Sequence, residues 1–279
     1  MNFKIVTLIG LMLIVMCGCT KAGENKMNVD LSELKQIPQE KWDKLAQKKI
    51  YFGHQSVGYD IIDGVNDLVP DVLDIPLAVM ETKNAGDFEN PIFAHSGVGT
   101  NSRPFFKCDE FKDNLNQGIG KQIDFAILKF CWADFKRDTD VNKVFNYYVK
   151  TMVSLETVYP EAKFIYVTTP LMVPQSPYSL KGIAKVILRK KYLGQELENL
   201  KRDEFNNKLR EYCESSNRTL FDLEKIETTY PNGDRYVYKR SSLELPALIP
   251  EYTDDGGHPN ELSRKIIAKE LFKLLVSNF

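Results

Sequence analysis

Short apolar runs that alternate with segments of helical period leave a chain few folds to adopt. Runs 49–52, 125–130 and 163–168 are compact and apolar, as in sheet-central strands buried on two sides. Weaker runs of the same kind occupy 77–80, 92–94 and 219–223. After the first run, Val57, Ile61, Ile62, Val65 and Leu68 recur on one helical face, and Val141, Val144, Phe145, Tyr148 and Met152 do so after the second. Leu262, Ile266, Ile267, Leu271, Leu274 and Leu275 repeat the pattern near the C-terminus. This alternation predicts an α/β protein, a three-layer α/β/α sandwich with a central parallel sheet.

Pro259 suits the first position of the last helix, which makes His258 its expected cap and puts Glu261 in the first turn. Two stretches fit the sandwich less well. Segment 173–193 turns basic, with Lys181, Lys185, Arg189, Lys190 and Lys191 around Ile183, Val186, Ile187 and Leu188; it reads as a solvated helix, a lid or a helix resting on anionic lipid. Segment 224–254 carries the hairpin-type turn Pro231-Asn232-Gly233-Asp234 and many aromatics, and is expected to wall a substrate pocket.

At the N-terminus, Lys4 precedes an apolar run from Ile5 to Met16, too short to be a comfortable permanent span. It ends in Met16-Cys17-Gly18-Cys19, which resembles the lipobox of bacterial lipoproteins with Cys19 acylated. The expected organisation is a signal peptide over 1–18, a lipidated tether over 19–30 and one domain over 31–279, exported to the cell envelope and held to a membrane by its anchor alone. The 37 basic and 38 acidic residues nearly balance, so charge does not point to nucleic acid. Cys108, Cys131 and Cys213 allow at most one disulfide and show no metal-ligand spacing, so neither a metal nor another cofactor is expected.

All three histidines stand among Gly, Ser or Asp rather than in apolar periodic runs. In Gly53-His54-Gln55-Ser56-Val57-Gly58, Ser56 falls where a strand ends and a helix starts, so free backbone N–H groups there favour a developing oxyanion. A plain helix cap would use the same residue type. In Asp254-Asp255-Gly256-Gly257-His258-Pro259-Asn260, two glycines let a tight turn bring the Asp255 carboxylate onto one imidazole nitrogen and leave the other for a serine. Between them, Gly97 and Gly99 in His95-Ser96-Gly97-Val98-Gly99-Thr100-Asn101 are candidates for backbone N–H donors to a bound carbonyl.

Together these blocks resemble the SGNH (GDSL-like) hydrolase superfamily, most specifically in Asp-Gly-Gly-His-Pro-Asn. The resemblance implies a flavodoxin-like sandwich, Ser56 as nucleophile, Asp255 and His258 as acid and base, and Gly97 or Gly99 in the second block. It also implies an esterase for short acyl groups, acetyl on a carbohydrate foremost. Two departures stand out. The first block reads Gly-His-Gln-Ser, and Cys131-Trp132-Ala133-Asp134 puts Ala133 where an oxyanion Asn is expected. Asn101 is the first substitute, and His54, Gln55 or Trp132 are expected to line the acyl pocket.

Other readings use the same residues. Acyl transfer shares the first half-reaction, and a glycan-binding protein on this fold would employ Trp132, Tyr236 and Tyr238. A metal site would need His54, His95 and Asp134.

Overall fold

The computed structural model describes residues 29–174, 194–240 and 242–278. The expected signal peptide, the lipidation site Cys19, the tether up to residue 28 and nearly all of the basic segment lie outside the described residues.

Helices α1 (Ser32–Gln36) and α2 (Gln39–Leu45) lead into β1 (Lys49–His54) and α3 (Val57–Leu68). Next come β2 (Val79–Glu81), β3 (Ile92–Gly97), α4 (Pro104–Asn114), β4 (Phe125–Leu128), α5 (Val141–Val158) and β5 (Lys163–Val167). The chain continues through α6 (Gln195–Ser215), β6 (Thr219–Phe221), α7 (Leu223–Glu227), β7 (Val237–Arg240), β8 (Leu243–Pro246) and α8 (Glu261–Val276). The sheet runs β2-β3-β1-β4-β5-β6 with every pairing parallel. All six sequence-predicted strands are in it. β1 lies between β3 and β4, where the strand order reverses, and its C-terminal end opens on the crevice where ligands of such sheets bind.

Both sheet faces are apolar, and period-two alternation sorts the side chains between them. Ile50, Phe52, Ile127, Ile165 and Val167 pack with α1, α2, α3 and α8, whereas Tyr51, Ala126, Leu128 and Tyr166 pack with α4, α5 and α6. Gly64 lets α3 and α8 meet closely: a Cβ there would stand 2.2 Å from the Arg264 carbonyl oxygen. The apolar arc of α8 is shifted from its expected face. Ala268 and Phe272 join Ile267, Leu271 and Leu275 in the core, while Leu262 and Ile266 cover a small cluster of Leu248, Ile249 and Tyr252. That cluster braces the segment entering α8.

The Pro231–Asp234 turn signal does not join the two hairpin strands. It closes an isolated bridge, Thr229 to Arg235, while β7 and β8 pair farther on. Tyr238 and Arg240 of β7 donate to Glu196 of α6, at 3.1 Å and 2.6 Å, and Tyr236 packs on Tyr230. These aromatics hold the hairpin and its neighbours in place.

Candidate active site

β1 delivers Ser56 to the start of α3 with φ 51° and ψ −113°. A positive φ on a non-glycine residue costs about 1–3 kcal/mol and concentrates at functional sites. The Ser56 side chain makes no capping hydrogen bond. Its Oγ instead lies 2.6 Å from His258 Nε2, across 202 residues of sequence.

His258 does not cap α8. The helix begins at Glu261, and Asn260 is the cap, its Oδ1 accepting from Ser263 N at 3.2 Å. The imidazole is therefore held by its own turn. Asp255 Oδ2 lies 2.6 Å from His258 Nδ1, and Oδ1 accepts from the backbone N–H groups of Gly257 and His258 at 2.8 Å each. Burial pushes the Asp255 carboxyl up, but the hydrogen bonds from His258 and Gly257 outweigh it and hold the group well below the usual carboxylate range. A carboxylate only accepts, so Nδ1 carries the proton and the Nε2 lone pair faces Ser56. The turn is fastened by the Thr253–Pro259 bridge and by Asn260 N donating to Tyr252 O at 2.9 Å. The Trp132 ring meets His258 edge-on, centroids 5.9 Å apart, and its Nε1 has no hydrogen-bond partner among the described residues.

No protein-family model matches the sequence, and no curated protein matches it. Solved structures do. A Bacteroides fragilis protein described as an acylhydrolase superposes with TM-score 0.51 at 13% identity, over 89% of this chain and 98% of its own. At that identity the likeness shows the fold alone, and the sheet order with Ser56 beyond β1 agrees with it. This is the SGNH-hydrolase fold. A Bacteroides thetaiotaomicron protein described as a GDSL-like lipase gives TM-score 0.47 at 14% identity, over 90% of this chain and 100% of its own. A Streptococcus pneumonia protein described as a platelet activating factor gives TM-score 0.49 at 17% identity, over 88% and 94%.

Within the SGNH-hydrolase fold, the structure gathers some sequence-predicted residues and moves others away. His54 is fully buried. Strand alternation carries it to the α3 face of the sheet, under Gly58, with Nε2 3.0 Å from His95 Nδ1. Burial pushes the His54 imidazole down to about 2, and burial likewise lowers His95. Asp134 does not join them as a metal ligand. Its carboxylate accepts from Lys107 Nζ at 2.5 Å, Cys131 N at 2.7 Å and Ser102 N at 2.9 Å.

Gly99 changes role as well. Its N–H donates to Glu110 Oε2 at 2.7 Å, so it is not the expected oxyanion donor. Asn101 turns its Oδ1 to Lys107 Nζ at 3.0 Å. Gly97 ends β3 in register with His54, beside the nucleophile's strand. Sequence reasoning missed Lys107 and Glu110, two charges on α4 that hold these loops. The only signal was their three-residue spacing on one helical face, which solvated residues share. Cys108, Cys131 and Cys213 are free and buried.

Proposed function

We propose that the protein is a serine esterase that hydrolyses short acyl esters, acetyl foremost, on carbohydrate substrates in the cell envelope, where Cys19 anchors it to a membrane. One observation carries the reading: Ser56 Oγ, His258 and Asp255 form a continuous hydrogen-bonded relay with both links at 2.6 Å.

In this reading His258 Nε2 takes the Ser56 proton as Oγ bonds to the ester carbonyl carbon, and the carbonyl electron pair moves to oxygen. The C–O bond to the alcohol then breaks as His258 returns the proton to the leaving oxygen. Water repeats the sequence on the acyl-serine. Asp255 stays ionised throughout and stabilises the imidazolium. The ordered turn supports this chemistry because it sets tautomer and ring direction before substrate arrives.

The test is hydrolysis of 4-nitrophenyl acetate, then of acetylated sugars, by wild type, Ser56→Ala and His258→Ala. Each substitution is expected to lower kcat by about 10⁴-fold or more. Activity that survives Ser56→Ala but disappears with a chelator would overturn the serine mechanism.

A further inference from the structure

An attacking serine needs donors for the oxygen that becomes negative, and of those expected from sequence the Gly99 N–H is occupied and the amide at position 133 is missing. Gly99 N–H is spent on Glu110, Ala133 has no polar side chain, and Asn101 is tied through its Oδ1 to the buried Lys107 ammonium.

Gln55 stands next to the nucleophile, and its Nε2 donates to Gly99 O at 3.1 Å. A carbonyl oxygen only accepts, so the atom at that place is the amide nitrogen and not Oε1. A Cβ built on Gly97 would lie 2.9 Å from Gln55 Nε2 and 3.1 Å from Tyr59 Oη. The amide therefore lies over the bare Cα of Gly97, at the C-terminal end of β3 beside that of β1. One of its two hydrogens goes to Gly99 O.

Gly99 is built to hold that amide still. Its φ is +56°, and a Cβ on it would stand 2.7 Å from Lys107 N. Glu110 grips its N–H, and Lys83 in turn pairs with Glu110. The residue whose carbonyl receives Gln55 is thus held at its amide end as well, and a donor fixed before reaction needs little reorganisation when charge develops.

We propose that Gln55 is the side-chain oxyanion donor of this site, supplying from the β3 side the amide that Ala133 lacks. When Ser56 Oγ bonds to the carbonyl carbon and its proton passes to His258, the second Gln55 N–H hydrogen-bonds the new alkoxide oxygen and keeps its own proton. This rests on Ser56 being the nucleophile.

The experiment compares full-chain wild type with Gln55→Met, which keeps length without a donor, and Gln55→Glu, which keeps shape but accepts only. The substrate is 4-nitrophenyl acetate, and Ser56 is labelled with a fluorophosphonate. Both variants are expected to lose about 10²–10³-fold in kcat, with KM within about threefold of wild type. Affinity for a trifluoromethyl ketone, whose serine adduct carries the oxyanion, should fall in step with kcat, while acetate inhibition stays unchanged; a merely structural Gln55 would not produce that split.

Should one variant fail to fold, the other decides. Wild-type kcat in a folded variant, alongside an active and labelled wild type, would overturn the Gln55 donor and leave the serine reading standing. A wild type that neither turns over nor labels at Ser56 would overturn both.

Discussion

The two sides of this site are built in opposite ways. Acid and base share one four-residue turn near water, where the Asp255 and His258 side chains are 58% and 36% exposed. Across from them, α4 and the loop after β4 are joined through the Lys107–Asp134 ion pair, both of whose side chains are 0% exposed. Local hydrogen bonds shape the first side, so damage there costs chemistry. Desolvated charge shapes the second, so damage there costs the fold.

The largest effect is expected at the turn. Asp255→Asn should lower kcat by about 10⁴-fold through the wrong imidazole tautomer, with a stability much closer to wild type than that of the buried-side variant below. A melting point that drops along with the rate would break the contrast. On the buried side, Asp134→Ala leaves the Lys107 ammonium without its carboxylate and orphans the Ser102 and Cys131 amides. A loss of about 3–5 kcal/mol by chemical denaturation is expected. Lys107→Met combined with Asp134→Leu should regain the part that comes from the unpaired charge, while the Ser102 and Cys131 amides stay orphaned.

The buried histidines extend the same contrast into acid. His54 titrates at about 2 in the folded protein, against 6.5 for an ordinary histidine, because burial and then the Lys129, His95 and Lys107 charges disfavour its protonation. Glu81 and Asp63 oppose the lowering at His95 without cancelling it. Below pH 6.5 the unfolded chain binds the proton that the folded chain refuses, so stability falls toward pH 2 at up to about 1.4 kcal/mol per unit for His54. Stability of His54→Phe followed from pH 7 to pH 4 should show a shallower slope; parallel slopes would remove His54 from the account.

Smaller effects sharpen the picture. Gly99→Ala combines a positive φ with a clash on the Lys107 backbone, and should cost about 1–3 kcal/mol in denaturant. Asn260→Ala removes the true cap of α8 and should cost about 1 kcal/mol. Its kcat should hold near wild type, because Asp255 rather than the helix positions His258.

Much of the sheet was legible in the sequence. The strands announced themselves because a parallel sheet buried on both faces needs apolar residues at every position, whatever the neighbours. The relay was half legible. Asp255 and His258 lie three residues apart, so local turn chemistry alone brings them together, and Ser56 stood out by its place between a strand and a helix. The fates of His54 and Gly99 were not legible. One additional alternation along β1 buried the first, and a carboxylate eleven residues onward claimed the amide of the second.

By itself, then, the sequence determined what repeats or stays local: the α/β/α order, the predicted strands, and an Asp-Gly-Gly-His turn that carries its own hydrogen bonds. Only the tertiary structure decided which donors remain free at the oxyanion side. Hydrogen-bonding capacity there is divided among α4 and the loops after β1, β3 and β4. Pairings between segments so far apart in the chain are set by packing in three dimensions, which no short motif encodes.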